Sequence, residues 1–267
     1  MSENDAPEPQ DAAEHDPKVA DAVWTQLKRL EKLIHPGVEV LHGAEQRLVL
    51  PAWRRVTEGE PRWPVSLAVL VAIALEIVLP DRVAPHQRWV LPTLAAMLLI
   101  GIIAANPKRI GRPSRPLRAA SIVLIAVLSA ANAWSAGRLV LALLHGTETQ
   151  TASALLMTGA AIWLTNILVF ALWYWELDRG GPAARANATY KHPDFVFVQM
   201  QSPELAPDDW EPGFADYLYL SFTNATAFSP TDVLPLSRWA KLAMMAQSLV
   251  SLATVALVIA RAVNILK

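Results

Sequence analysis

Five apolar tracts, each bounded by charges, prolines or aromatic rings, divide the chain: 64–79, 89–105, 117–143, 152–175 and 239–264. A helix rises 1.5 Å per residue and the hydrocarbon layer is about 30 Å thick, so the last three are long enough to cross it. The first two are shorter and suit a hairpin. Trp63, Trp89, Trp173, Tyr174, Trp175 and Trp239 fall at tract ends, where amphipathic rings favour the headgroup level. This pattern predicts an all-α, polytopic membrane protein with five transmembrane helices. A different pattern precedes the fifth tract. Residues 214–225, "FADYLYLSFTNA", place Phe214, Leu218, Phe222 and Ala225 at helical spacing, then give way to a polar run, "SPTDVLP". Twelve residues cannot span as a helix, which predicts a short re-entrant helix that turns back inside protein.

The ends of the chain read differently. Residues 1–18, "MSENDAPEPQDAAEHDPK", are acidic, almost without apolar surface and unlike a signal peptide, which predicts a disordered tail. Over 19–60 an amphipathic helical region is expected. Val23, Trp24, Leu27, Leu30, Leu33 and Ile34 lie on one side, and Lys28, Arg29, Glu31 and Lys32 on the other. Such a helix fits packing or self-association, and also a membrane-surface anchor. The expected organisation continues with a three-helix membrane part over 64–143. An outer helix, an acidic loop, a pore-like loop and an inner helix then fill 152–264.

Composition supports the membrane class. Of 267 residues, 53% are hydrophobic and 18% charged, against about a quarter charged in soluble domains. The net charge of −1 gives no reason to expect nucleic acid as a partner. Having no cysteine excludes disulfides, thiolate metal sites and cysteine catalysis. His145, His192 and the other histidines have no metal-ligand spacing, the serines lack a nucleophile-elbow setting, and no phosphate-binding glycine pattern is present. No metal, cofactor or enzymatic activity is therefore expected. Orientation follows from short loops: 106–118, "NPKRIGRPSRPLR", holds five basic residues and no acidic one, whereas 144–151 holds no basic residue. The positive-inside rule puts 106–118 in the cytoplasm, with a cytoplasmic N-terminus and an external C-terminus in a bacterial inner membrane.

Polar residues inside the tracts are candidate functional groups, because unpaired polar atoms in hydrocarbon are costly. Asn132 and Asn166 lie near the middles of adjacent antiparallel tracts, where their amides could pair as interhelical glue. Ser129, Ala133 and Gly137 make a small-residue ridge on the third tract. Glu76 and Arg138 stand near tract ends, from which snorkelling to the interface is expected. Gln247, Ser248 and Ser251 form a polar face on the inner helix that would line an aqueous path or stitch subunits together.

Residues 221–235, "SFTNATAFSPTDVLP", resemble the pore signature of the potassium channel superfamily, S-F-T-T-L-T-T-V-G-Y-G-D-x-x-P. Ser221, Phe222, Thr223, Thr226, Asp232 and Pro235 match without a gap. The same region, with the basic loop after the second tract, is similar to an uncharacterised family of small bacterial integral membrane proteins, a likeness that covers most of the chain. Ala227, Phe228, Ser229, Pro230 and Thr231 stand where the filter glycines would be, and Gly213 is the last glycine in the chain. A stack of backbone carbonyls is then disfavoured, since residues with a Cβ adopt those conformations at a cost and Pro230 fixes φ. The resemblance implies a pore loop of Thr223, Asn224, Thr226 and residues 227–232. It further implies monovalent cations as ligand and a homo-oligomer, a tetramer with four Asp232 carboxylates if it forms a pore. Two readings stay open: a weakly selective cation channel, and a non-conducting scaffold that binds a partner through the acidic 176–213 loop. In the second, Thr231 or Asp232 would cap the final helix.

Overall fold

The computed structural model describes residues 50–265, apart from 82, 86–88, 107, 112, 148–150 and 227–231. The chain divides into two units, 1–50 and 51–267, and the second is described here. The expected acidic tail and the amphipathic helix from 19 onward lie outside the described residues. Of the expected 19–60 helical region, the described part holds only a single 3-10 turn at Ala52–Arg54, then extended chain.

The five apolar tracts form helices close to their expected bounds: α1 (Trp63–Val78), α2 (Val90–Ala105), α3 (Arg115–Leu144), α4 (Ala152–Leu177) and a last helix, Arg238–Ile265. Between α4 and that last helix come two short helices, α5 (Pro182–Ala186) and α6 (Val198–Gln201), and the helix α7 (Phe214–Thr226); Arg238–Ile265 is thus α8. Local chemistry sets the ends. Pro64 and Pro116 sit in first turns, where a missing N–H costs nothing. Pro80 holds Leu79 in extended conformation and stops α1. Thr151 caps α4 by accepting from the Ala154 N–H at 3.3 Å. Ser237, rather than Asp232, caps α8 through the Ala240 N–H, while Thr231 lies outside the described residues. Among the described residues three helices, α3, α4 and α8, are long and apolar enough to cross a membrane; α1 and α2 are apolar but shorter.

Two short antiparallel ladders gather the helix ends on one face. Strand β1 (Glu60–Pro61) pairs with β2 (Arg109–Ile110), which joins the start of α1 to the link between α2 and α3. Strand β3 (Phe195–Val196) pairs with β4 (Leu234–Pro235), which returns the chain after α7 to the level of the segment beyond α4. Since β2 lies in the basic 106–118 loop, this is the basic face of the molecule.

Helix α4 is the centre of the packing and touches α1, α3, α7 and α8. At Gly159 it meets α8 so closely that a Cβ would stand 2.8 Å from Val258 Cγ1. Buried apolar side chains form two clusters. One, toward the basic face, includes Val69, Ile73, Leu128, Leu172, Phe195 and Tyr217. The other includes Leu79, Leu139, Leu155, Ile162 and Val258. Between the two clusters α1, α3, α4 and α8 carry buried polar residues: Glu76, Asn132, Thr165 with Asn166, and Gln247. Two expectations change here. Glu76 does not snorkel; it is 6% exposed, and its Oε1 has no hydrogen-bond partner among the described residues. The ridge on α3 is not a packing surface among the described residues, because Ala133 and Gly137 are exposed and a Cβ on Gly137 would meet nothing within 4 Å.

Candidate functional site

The C-terminal helices are joined by a hydrogen-bonded staple centred on Gln247. Its side chain is fully buried and uses all its capacity near α7. The amide Nε2 donates to Ser221 O at 2.9 Å and Ser221 Oγ at 2.7 Å. Its Oε1 accepts from the Tyr174 hydroxyl at 2.6 Å and from Asn224 Nδ2 at 2.8 Å. Around this hub, Ser221 Oγ donates to Ile167 O at 2.6 Å and Asn224 Nδ2 also reaches Met244 O at 3.0 Å. Ser248 Oγ donates to Asn224 O and Oδ1, both at 3.3 Å, and Ser251 Oγ donates to Ala225 O while accepting from Trp163 Nε1. The chain folds locally this way because α7 is too short to satisfy its environment alone. Its polar side chains and its C-terminal carbonyls therefore bond to the longer helices on either side.

The sequence-predicted site residues divide in consequence. Gln247, Ser248, Ser251 and Asn224 meet, as bonds between helices. Thr223 and Thr226 turn inward on α7 itself, donating to Tyr219 O at 2.9 Å and Thr223 O at 2.9 Å. Asp232 is exposed, with the Tyr219 hydroxyl 3.5 Å from its Oδ2. Ala227, Phe228, Ser229, Pro230 and Thr231 lie outside the described residues. The expected Asn132–Asn166 pair takes another form: Asn166 Nδ2 donates to Gln247 O at 3.4 Å, and the buried Oδ1 of Asn132 has no hydrogen-bond partner among the described residues.

A second constellation, absent from the sequence reading, lies under the basic face. Arg185, on α5, is 5% exposed, and its NH2 donates to Glu60 Oε1 at 2.8 Å. Its NH1 donates to Trp175 O at 2.6 Å and Asp178 O at 3.1 Å. Glu60 Oε2 accepts from Trp175 Nε1 at 2.9 Å and from the Phe214 N–H at 3.1 Å, so it also holds the start of α7. Asp178 is wholly buried; its Oδ2 accepts from the Tyr217 hydroxyl at 2.6 Å and its Oδ1 from the N–H groups of Asp194 and Phe195. Arg179 NH1 reaches Trp53 O at 2.6 Å, and Asp194 Oδ1 accepts from Trp239 Nε1 at 2.9 Å. Burial opposes the Arg185 charge, but Tyr217, Glu60 and Asp178 around it outweigh that and hold the guanidinium above its usual range.

Six separate stretches thus share one network around buried charges: the segment before α1, the end of α4, the α5 region, residues 194–195, the start of α7 and the start of α8. Within the 176–213 loop Phe195, Phe197 and Asp178 are buried, whereas the 187–192 and 203–209 portions are broadly exposed. The available signal was "DRGG" at 178–181. Arg179 and the two glycines all adopt positive φ (50, 78 and 98°), which turns the chain back over the end of α4. Among the described residues no group of three or more His, Cys, Asp or Glu could hold a metal ion. Compared with family models, curated proteins and solved structures, the chain matches none.

Proposed function

We propose that the chain is a five-helix membrane protein (α1, α2, α3, α4 and α8) of a bacterial inner membrane. In this reading α7 is a re-entrant helix, and the α4–α7–α8 module resembles a channel pore unit but serves as a non-conducting scaffold. One observation carries the reading: the polar side chains of α8 that would line an aqueous path are used to hold α7. Gln247 is 0% and Ser251 1% exposed, whereas the outward side of α8 presents Leu242, Met245, Leu249, Leu252 and Ile259. An apolar outer stripe suits lipid or another helix better than water. The N-terminus would lie in the cytoplasm with the basic face. The exposed edge of the 176–213 segment, with Glu204, Leu205, Asp208 and Asp209, would meet a partner there.

A weakly selective cation channel is the second reading, favoured by exposed Asp232, which four copies would arrange as a ring of carboxylates. Planar bilayers containing the purified full chain separate the two. The scaffold reading expects no cation current above the lipid background. A current whose ion selectivity changes on Asp232→Asn would replace it with the channel reading.

A further inference from the structure

The basic loop 106–118 accounts for orientation, yet three arginines around it also line a cavity of about 300 Å³ on the basic face. Its walls come from the start of α1, the end of α2, the start of α3 and the end of α4. Arg62, Arg115 and Arg118 are its cations, and Glu176 is the one carboxylate among its lining residues. Three guanidiniums against one carboxylate leave a formal excess of two positive charges.

The pairing of these groups is incomplete. Arg118 Nε stands 3.8 Å from Glu176 Oε1, and this is the only ion pair that any of the three makes with a described residue. Arg62 Nε is buried without a hydrogen-bond partner among the described residues. Burial lowers the Arg62 guanidinium below its usual range, with the Glu176 charge opposing. Helix α3 begins here with no side-chain cap from Ser114 and no acidic residue in its first turn, so its N-terminal dipole is uncompensated as well. The rest of the wall is largely apolar, with Ile102, Ile110, Leu117 and Trp175, beside the polar Asn106, Ser114 and Ser121.

We infer that this cavity binds the phosphate-bearing headgroup of an anionic phospholipid, with the phosphodiester against Arg62 and Arg115 and the glycerol backbone along the Ile102–Leu117 wall. The inference rests on the membrane reading above, in which the α3 start and the α4 end lie at headgroup level. A basic pocket between helices on the positive side of a membrane is suited to such headgroups. Two features select lipid over a free anion: the largely apolar wall, and the position at helix ends that the membrane reading puts at headgroup level. The excess positive charge favours a net-negative headgroup over a zwitterionic one.

The test uses the full chain reconstituted in vesicles of equal phosphatidylglycerol and phosphatidylcholine, extracted and weighed by native mass spectrometry with its retained lipids. Phosphatidylglycerol should be retained roughly tenfold over phosphatidylcholine, and Arg62→Gln with Arg115→Gln should bring the ratio near one. Inorganic phosphate added at millimolar concentration should leave the retained lipid in place. Equal retention of the two lipids by the unaltered chain, or an unchanged preference in the double variant, overturns the inference. Displacement by inorganic phosphate overturns the lipid source in favour of a free-anion site. If the double variant does not fold, the lipid ratio and the phosphate challenge on the unaltered chain still decide. Failure of the chain to enter vesicles would sink the membrane reading instead, a separate result.

Discussion

Replacing Gln247 with Leu tests whether the polar staple holds the C-terminal helices together. Leu has nearly the volume of Gln, so no cavity opens and the change reports on hydrogen bonding. Four side-chain bonds disappear: two to Ser221, one from Tyr174 and one from Asn224. Interhelical bonds in membrane proteins average about 0.6 kcal/mol each, so four give about 2.4 kcal/mol before coupling is considered. Not every partner is stranded. Asn224 keeps Met244 O and Ser221 keeps Ile167 O, which leaves the buried Tyr174 hydroxyl as the orphan. A loss of about 2 kcal/mol is expected, or about 4–8 °C in thermal midpoint for a unit of this size. Tyr174→Phe alone removes one bond and strands only one lone pair, so it should cost under half as much. In the Gln247→Leu background it should cost nothing, since the hydroxyl is already unpaired. Thermal unfolding of the four proteins in one detergent measures the cycle. A Gln247→Leu variant as stable as the parent, or additive losses in the double variant, would refute the staple.

Three further outcomes are expected. Arg185→Met leaves the buried Glu60 carboxylate beside a neutral side chain, removes the bond to the Asp178 carbonyl and should destabilise by about 3–5 kcal/mol in a denaturant titration, whereas adding Glu60→Gln should recover part of the loss. Gly159→Ala places a methyl against Val258, forces α4 and α8 apart and should cost about 1–3 kcal/mol; Val258→Ala should restore most of it in the same melting assay. Glu211, which accepts from the Thr57 hydroxyl at 3.0 Å, is held above the usual carboxylate range, chiefly by burial and also by the Glu60 charge, against the opposing Thr57 bond. The folded state therefore binds this proton more tightly than the unfolded chain does. Its contribution to stability is full at low pH and is lost as pH rises from the ordinary carboxylate range through the raised folded value. Glu211→Gln should flatten that part of a stability-versus-pH curve; an unchanged slope would assign it to other groups.

The helices were legible because a membrane-length apolar tract has few alternatives to a helix, and Pro64 and Pro80 mark the ends of α1 locally. The shortness of α7 was legible for the same reason: twelve apolar-periodic residues between polar runs cannot span. What a one-dimensional pattern did not reveal was partnership. Nothing local to Gln247 says whether its amide meets water or Ser221, and the inner-helix polar face proved to be the seat of α7. Asn166 was singled out as a polar group inside its helix, yet its bond runs to Gln247 O on α8 rather than to Asn132 on α3. The charged set of Glu60, Asp178, Arg179 and Arg185 was missed altogether. Its members come from positions up to 125 residues apart, and each by itself reads as an ordinary loop charge. The sequence by itself determined which segments avoid water and how long they are, since burial energy and helical rise are local properties of a tract. Only the tertiary structure decided which polar group satisfies which, because that depends on distances between segments that no spacing along the chain encodes.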